Sequence, residues 1–247
     1  ESIHIVGKDI TLQGQTGAVI QSPVTIPAAS TFTTSAANKA VVYLNNTDST
    51  VDGFVIDGAS RGNGNYRFIG VAFYNAGGAL TNSIVKNVQE NPFNGNQHGN
   101  AVYAYNTDGV AREVTVANNQ VFDFQKNGIT VNGANLTGHV NKNTVTCKGT
   151  TSITAENGIQ IGYGAAATLQ GNTVSGCSFH LAGNAWDWGA AGVLLYQPGD
   201  VAFQGGNNIF NNDSNVYIYS DNTTTFGAES VGPSTAPIDT GYDIINY

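Results

Sequence analysis

The sequence predicts an all-β chain wound as a right-handed parallel β-helix, a solenoid of about eight coils. Two recurring strand phrases and the absence of any helical hydrophobic period carry this expectation. The first phrase sets a small residue before alternating apolar positions. It reads Ala40-Val41-Val42-Tyr43, Gly70-Val71-Ala72-Phe73, Ala101-Val102-Tyr103-Ala104, Gly128-Ile129-Thr130-Val131, Gly158-Ile159-Gln160-Ile161 and Gly192-Val193-Leu194-Leu195, with Asn215-Val216-Tyr217-Ile218 as a seventh copy. Its starts at 40, 70, 101, 128, 158, 192 and 215 are 23 to 34 residues apart. That variation is wide for a rigid helical repeat but natural for β-coils whose turns carry insertions.

The second phrase places Asn two positions before an apolar residue: Asn119-Gln120-Val121, Asn143-Thr144-Val145, Asn172-Thr173-Val174 and Asn207-Asn208-Ile209. An amide that returns in every coil can bond the coils on either side of it, so these residues predict a stacked turn ladder. The repeat supports one domain, with residues 1–226 as the β-helix and 1–38 as its first coil. Residues 227–247 lose the repeat and carry Pro233 and Pro237, so they are expected as a tail that packs on the rod or caps it.

Charge narrows the partners. Seventeen acids against nine bases give a net charge of −8, which disfavours nucleic acid and anionic membrane surfaces. No apolar run approaches the roughly 20 residues that span a bilayer. The chain lacks Met and opens on the strand-like Ser2-Ile3-His4-Ile5-Val6, so a mature or excised segment is expected, with any export signal outside it. A secreted or cell-surface location follows as an expectation, with self-association or a neighbouring domain among the partners. Cys147 and Cys177 follow matching phrases of adjacent coils, which leaves either a disulfide or two buried thiols.

The Asn-Gly-Ile-x-Ile and Asn-x-Val phrases between residues 39 and 219 resemble the repeats of the pectate-lyase-like right-handed β-helix superfamily. That group includes polysaccharide lyases, mannuronan epimerases, glycoside hydrolases, tailspikes and adhesins. The resemblance implies the fold and an extracellular polysaccharide as partner. It transfers no catalytic motif, because the epimerases' Asp-Pro-His phrase and a lyase-style Arg motif are absent.

Strand alternation then points to one face. The outward columns of the first strand read Val42, Ala72, Tyr103, Thr130, Gln160, Leu194, Tyr217 and Leu44, Tyr74, Tyr105, Asn132, Gly162, Tyr196, Tyr219. Tyr74, Tyr103, Tyr105 and Tyr196 are therefore candidate sugar contacts, with strand propensity as the plain alternative. The longest insertions all enter this strand and gather Arg67, His98, Lys126, Glu156 and the Trp186-Asp187-Trp188 run. Trp186 and Trp188 are candidate sugar clamps.

A uronate lyase or epimerase needs a base and a neutralising cation, for which His98 or a Tyr and Arg67 or Lys126 are the candidates. A hydrolase needs two carboxyls, for which Glu156 and Asp187 are the candidates. The same charges also suit ordinary solvated loops. Asp57, Glu90, Asp123 and Glu156 fall at similar loop positions and make Ca²⁺ the one metal to consider, but no Asp-x-Asp-x-Asp spacing supports it, so no metal or other cofactor is expected. His4 and His139 stand alone and read as structural. The functions in view are a polysaccharide-active enzyme and a non-catalytic adhesin or surface-filament module.

Overall fold

A computed structural model describes residues 1–183, 189–220, 223–227, 230–231 and 242–246. The chain forms a right-handed parallel β-helix in which each coil gives one short strand to each of three sheets. The first sheet stacks Ile3–Val6, Ala37–Asn45, Phe68–Tyr74, Asn100–Tyr105, Asn127–Asn132, Asn157–Gly162, Ala191–Tyr196, Ser214–Tyr219 and Tyr242–Asn246. The second stacks Thr11–Gln13, Asp48–Asp52, Gly77–Thr81, Arg112–Ala117, Leu136–Asn141, Ala166–Gln170, Asp200–Phe203 and Thr223–Phe226. The third stacks Val19–Gln21, Val55–Asp57, Ile84–Lys86, Gln120–Phe122, Thr144–Thr151, Thr173–Phe179, Asn208–Phe210 and Ser230–Val231. Within the 227–247 segment, Ser230–Val231 and Tyr242–Asn246 both pair in parallel with the coil before them.

The alternating phrase works because its apolar members stack on one another. Val42, Val71, Val102, Ile129, Ile159, Val193 and Val216 lie in register and are fully buried. Each such side chain contributes about 1.5–3 kcal/mol relative to exposure. The small residue at the head of the phrase sits at a corner against the third sheet. A Cβ on Gly158 would lie 2.4 Å from Val174 Cγ1 and 2.7 Å from the Gly192 carbonyl oxygen.

The predicted ladder forms at the turn from the second sheet to the third. Asn119 Nδ2 donates to Asn143 Oδ1 at 3.0 Å, Asn143 Nδ2 to Asn172 Oδ1 at 3.0 Å, and Asn172 Nδ2 to Asn207 Oδ1 at 2.9 Å. The second hydrogen of each amide goes to a backbone carbonyl: Leu80, Val116, Val140 and Leu169 in turn. The residue before each rung takes a left-handed conformation, as at Asn118 (φ 59°), Lys142 (φ 54°) and Gly171 (φ 65°). Ser83 replaces Asn in the earlier coil and donates its backbone N–H to Asn119 Oδ1 at 2.9 Å.

Two details differ from the sequence reading. In the second coil the register runs one residue later, because Val42 pairs with Val71 and Tyr43 with Ala72. Val42 and Leu44 therefore point inward and are fully buried, while Tyr43 and Asn45 take the outward positions. The run Val41-Val42-Tyr43-Leu44 is apolar throughout and does not declare its own parity. Residues 1–38 also do more than complete a coil. The third-sheet strand ends at Gln21, and residues 22–36 form a flap whose strand Thr31–Thr33 pairs antiparallel with Ala37–Lys39.

The insertions at 58–67, 87–99, 123–126 and 152–156 all lie between a third-sheet strand and the following first-sheet strand, on one edge of the first sheet's outer face. Cys147 and Cys177 form a disulfide between adjacent coils of the third sheet, with Cα atoms 4.9 Å apart.

Candidate functional site

The outer face of the first sheet presents the columns Tyr43, Ala72, Tyr103, Thr130, Gln160, Leu194, Tyr217 and Asn45, Tyr74, Tyr105, Asn132, Gly162, Tyr196, Tyr219. Over its middle coils lies a cavity of about 420 Å³. Arg67, Gln97 and Lys126 enter it from the loops that precede the strands. Asn100 and Asn127 begin the strands beneath, and Tyr103, Asn132 and Gln160 continue the lining across the sheet. Tyr105 and Tyr163 stand where the strands end, and Thr34 and Ser35 come from the flap.

The cavity is cationic. Arg67 and Lys126 line it, and among the described residues no carboxylate belongs to the lining, in a chain with nearly twice as many acids as bases. Lys126 is half-buried and donates to the Ala155 carbonyl at 2.7 Å. Burial lowers its pKa from 10.5 to about 8, an effect that Glu156 partly opposes. Arg67 adopts φ 53°, and its guanidinium lies 5.8 Å from the centre of the Tyr66 ring. Among the described residues, Arg67 Nε and Asn100 Oδ1 have no hydrogen-bond partner, nor has the buried Thr130 Oγ1 between Tyr103 and Gln160 in their column.

The amides are partly pre-arranged. Asn157 Nδ2 donates to Asn127 Oδ1 at 3.0 Å, and Asn127 Nδ2 donates to Gln160 Oε1 at 3.0 Å. Gln160 Nε2 in turn donates to Asn132 Oδ1 at 3.3 Å. Burial raises the Tyr103 phenol above its ordinary pKa, with Asn132 opposing, so this hydroxyl stays protonated across the working range.

Of the candidates read from sequence, the structure brings Arg67, Lys126, Tyr103 and Tyr105 into one cavity. Tyr74 stands beside it under the flap, stacked on Phe32 at 4.6 Å, and its hydroxyl donates to the Thr33 carbonyl at 3.3 Å. Tyr196 lies further along the same face, stacked on Tyr219 at 5.0 Å with 4° between the ring planes.

His98 is turned away from the cavity and buried. Its Nδ1 accepts the Phe68 backbone N–H at 3.4 Å, and its Nε2 faces Glu90 Oε1 at 3.2 Å. Burial lowers its pKa, against the raising influence of Glu90. Its place is to hold the strand start next to Arg67. Glu156 is also buried behind the lining, where Oε2 accepts the Lys148 backbone N–H at 2.7 Å and burial raises its pKa to about 7. Trp186, Asp187 and Trp188 lie outside the described residues.

Asn100, Asn127 and Tyr163 are not among the candidates that the sequence offers, and Asn132 and Gln160 enter only as members of the outward columns. Asn132 and Gln160 already stood in the outward columns, and Asn127 heads the Asn-Gly-Ile phrase, so their signal was position in the repeat. The stacking geometry also refines the tyrosine argument. Tyr103 and Tyr105 stack at 5.6 Å and 16°, so neighbouring rings cover one another's faces and offer edges and hydroxyls instead. Tyr163, 55% exposed, leaves more of its ring uncovered.

Among the described residues no group of three or more His, Cys, Asp or Glu side chains is placed to hold a metal ion. None of their helices is long and apolar enough to cross a membrane. No protein-family model, curated protein or solved structure matches the chain.

Proposed function

We propose that this chain is a secreted or cell-surface rod that recognises an acidic polysaccharide in the first-sheet cavity. The observation that carries the reading is the pair Arg67 and Lys126, open to one cavity whose lining, among the described residues, holds no carboxylate. A half-buried ammonium with Glu156 behind it and no acid on its cavity side among the described residues favours an anionic ligand, since the ligand supplies negative charge from the open side. The amides of Asn100, Asn127, Asn132 and Gln160, with the phenols of Tyr103 and Tyr105, match the hydroxyl edges of sugar rings. The inter-coil disulfide supports an oxidising compartment. The resemblance of the repeats to the pectate-lyase-like superfamily agrees with a uronate-type ligand.

Binding without hydrolysis is the stronger form of the proposal, because glycoside hydrolysis calls for two carboxyls at the bond and, among the described residues, the lining supplies none. One observation favours a second, catalytic form. Lys126 faces the cavity with a pKa of about 8, near the range where an amine can take a proton, while Arg67 would neutralise the sugar carboxylate.

Calorimetric titration with polygalacturonate, alginate and a neutral glucan tests the proposal. Acidic glycans should bind, the glucan should not, and Arg67→Gln or Lys126→Gln should each weaken binding about tenfold or more. Equal binding of the neutral glucan, or wild-type affinity in both variants, would sink it. Ultraviolet absorbance from an unsaturated uronate product would select the catalytic form.

A further inference from the structure

We infer that the cavity takes the end of a polysaccharide chain and not an internal stretch, an inference that rests on the glycan reading of this cavity. The first-sheet face would be an open track along the rod if all its coils were alike, and a polymer could then lie across the cavity from either side. The flap removes that option at the N-terminal side. Phe32 is 4% exposed and stacks on Tyr43 at 5.5 Å and Tyr74 at 4.6 Å, with Tyr103 next at 6.4 Å. Beneath it Ala40, Tyr43, Ile69 and Ala72 are buried although they belong to the outward side of the strands, and they form a small apolar cluster separate from the core.

The flap is tied down as a wall. Its strand pairs with Ala37–Lys39, Asn38 Nδ2 donates to Thr34 Oγ1 at 3.1 Å and to the Ala36 carbonyl at 2.8 Å, and Tyr74 holds the Thr33 carbonyl. Thr34 and Ser35 then close the cavity on that side.

A second side is closed by the loops that carry Arg67, Gln97 and Lys126, and these are anchored too. Gln97 Nε2 donates to the Gly95 carbonyl at 2.9 Å and to Thr154 Oγ1 at 3.1 Å, which links the 87–99 and 152–156 insertions. Toward the C-terminal coils no flap of this kind lies over the face among the described residues. Gln160, Leu194 and Tyr196 are half-buried and Tyr219 is 39% exposed. With walls on two adjoining sides, a polymer cannot pass straight through in either direction. Its terminal unit enters between the two cations, and the units behind it leave toward the C-terminal coils or the Tyr105 and Tyr163 rim.

Competition by length-graded glycan fractions tests this on the wild-type protein. A short fluorescent oligomer of polygalacturonate is bound, then displaced by unlabelled fractions of increasing length, with alginate fractions as a second series. End recognition predicts equal potency per mole of chains, so potency per unit mass falls in proportion to length. Potency per unit mass that is independent of length would overturn end recognition while leaving glycan binding intact. Failure of every fraction in both series to bind would overturn both readings. Phe32→Ala, which lowers the wall, should shift displacement toward dependence on mass, and a folded variant that still counts chain ends would remove Phe32 as the stop.

Discussion

At the scale of single residues, two buried polar groups differ in how completely they are satisfied. Asn143 uses all of its amide: Oδ1 accepts the Asn119 backbone N–H and Nδ2, and its own Nδ2 donates to the Val116 carbonyl and Asn172 Oδ1. Asn143→Ala leaves several of these groups buried and unpaired, each costing about 1–3 kcal/mol, so a loss of about 3 kcal/mol or more in chemical denaturation is expected. Glu156 is the opposite case, since Oε1 has no partner among the described residues and burial raises the pKa from 4.5 to about 7. Between these two values the folded state binds more protons than the unfolded one, so stability falls as pH rises through the window. Glu156→Gln, which leaves Asp123, Lys126 and Lys148 in place, removes that loss. It should stabilise the protein by up to about 3 kcal/mol at pH 8 and give no such gain near pH 4, read from denaturation midpoints at both. The rungs of the ladder were legible in sequence because each Asn keeps a fixed offset from a core residue. The place of Glu156 was not, because a loop carboxylate carries no periodic mark of which way it turns.

Strands and loops divide in the same way. Inward columns, the ladder turns and the common edge of the insertions follow from alternation and spacing, which by themselves put Arg67, Lys126, Tyr103 and Tyr105 on one side of the rod. The second-coil register and the flap do not follow. Four apolar residues in a row leave parity open at Val41–Leu44, and Phe32 lies in a segment without a repeat, so its antiparallel return over the tyrosine face has no sequence signal. The cysteines are an intermediate case, since matching phrases bring them near one another but leave open whether they bond. Cys147 lies where the pairing of its strand with the next shifts between Thr146 and Gly149, and at this irregularity the two side chains come within bonding distance. The bridge spans a sequence separation of 30 and joins coils already in register. Loop-closure entropy gives such a crosslink about 3.6 kcal/mol. The double variant Cys147→Ala, Cys177→Ala should lose about that much, with the loss falling on unfolding free energy and not on glycan affinity. A variant as stable as the parent would mean that stacking alone holds the two coils.

For the molecule as a whole, local and global electrostatics oppose each other. The chain carries a net charge of −8, yet the cavity places Arg67 and Lys126 together without an acid in its lining among the described residues. An acidic glycan approaching from beyond about 8–10 Å meets the repulsion of the whole protein, and only at close range does it meet the two cations. Salt screens the distant charges first, because the cavity is partly shielded from solvent and its contacts are short. Association should therefore speed up as ionic strength rises from about 0.01 M, while dissociation also quickens once the contacts to Arg67 and Lys126 are screened. A ligand steered by opposite charge would associate more slowly with added salt, so the direction of the association rate separates the two cases. The pH dependence adds an independent check. Lys126 loses its proton near pH 8, so affinity should fall as pH passes through that value, and the fall should vanish in Lys126→Gln while the salt response of association persists. If surface-plasmon-resonance measurements showed association slowing with salt in both proteins, the repulsive outer field would have no part in recognition, and the cations of the cavity would have to act from the first encounter.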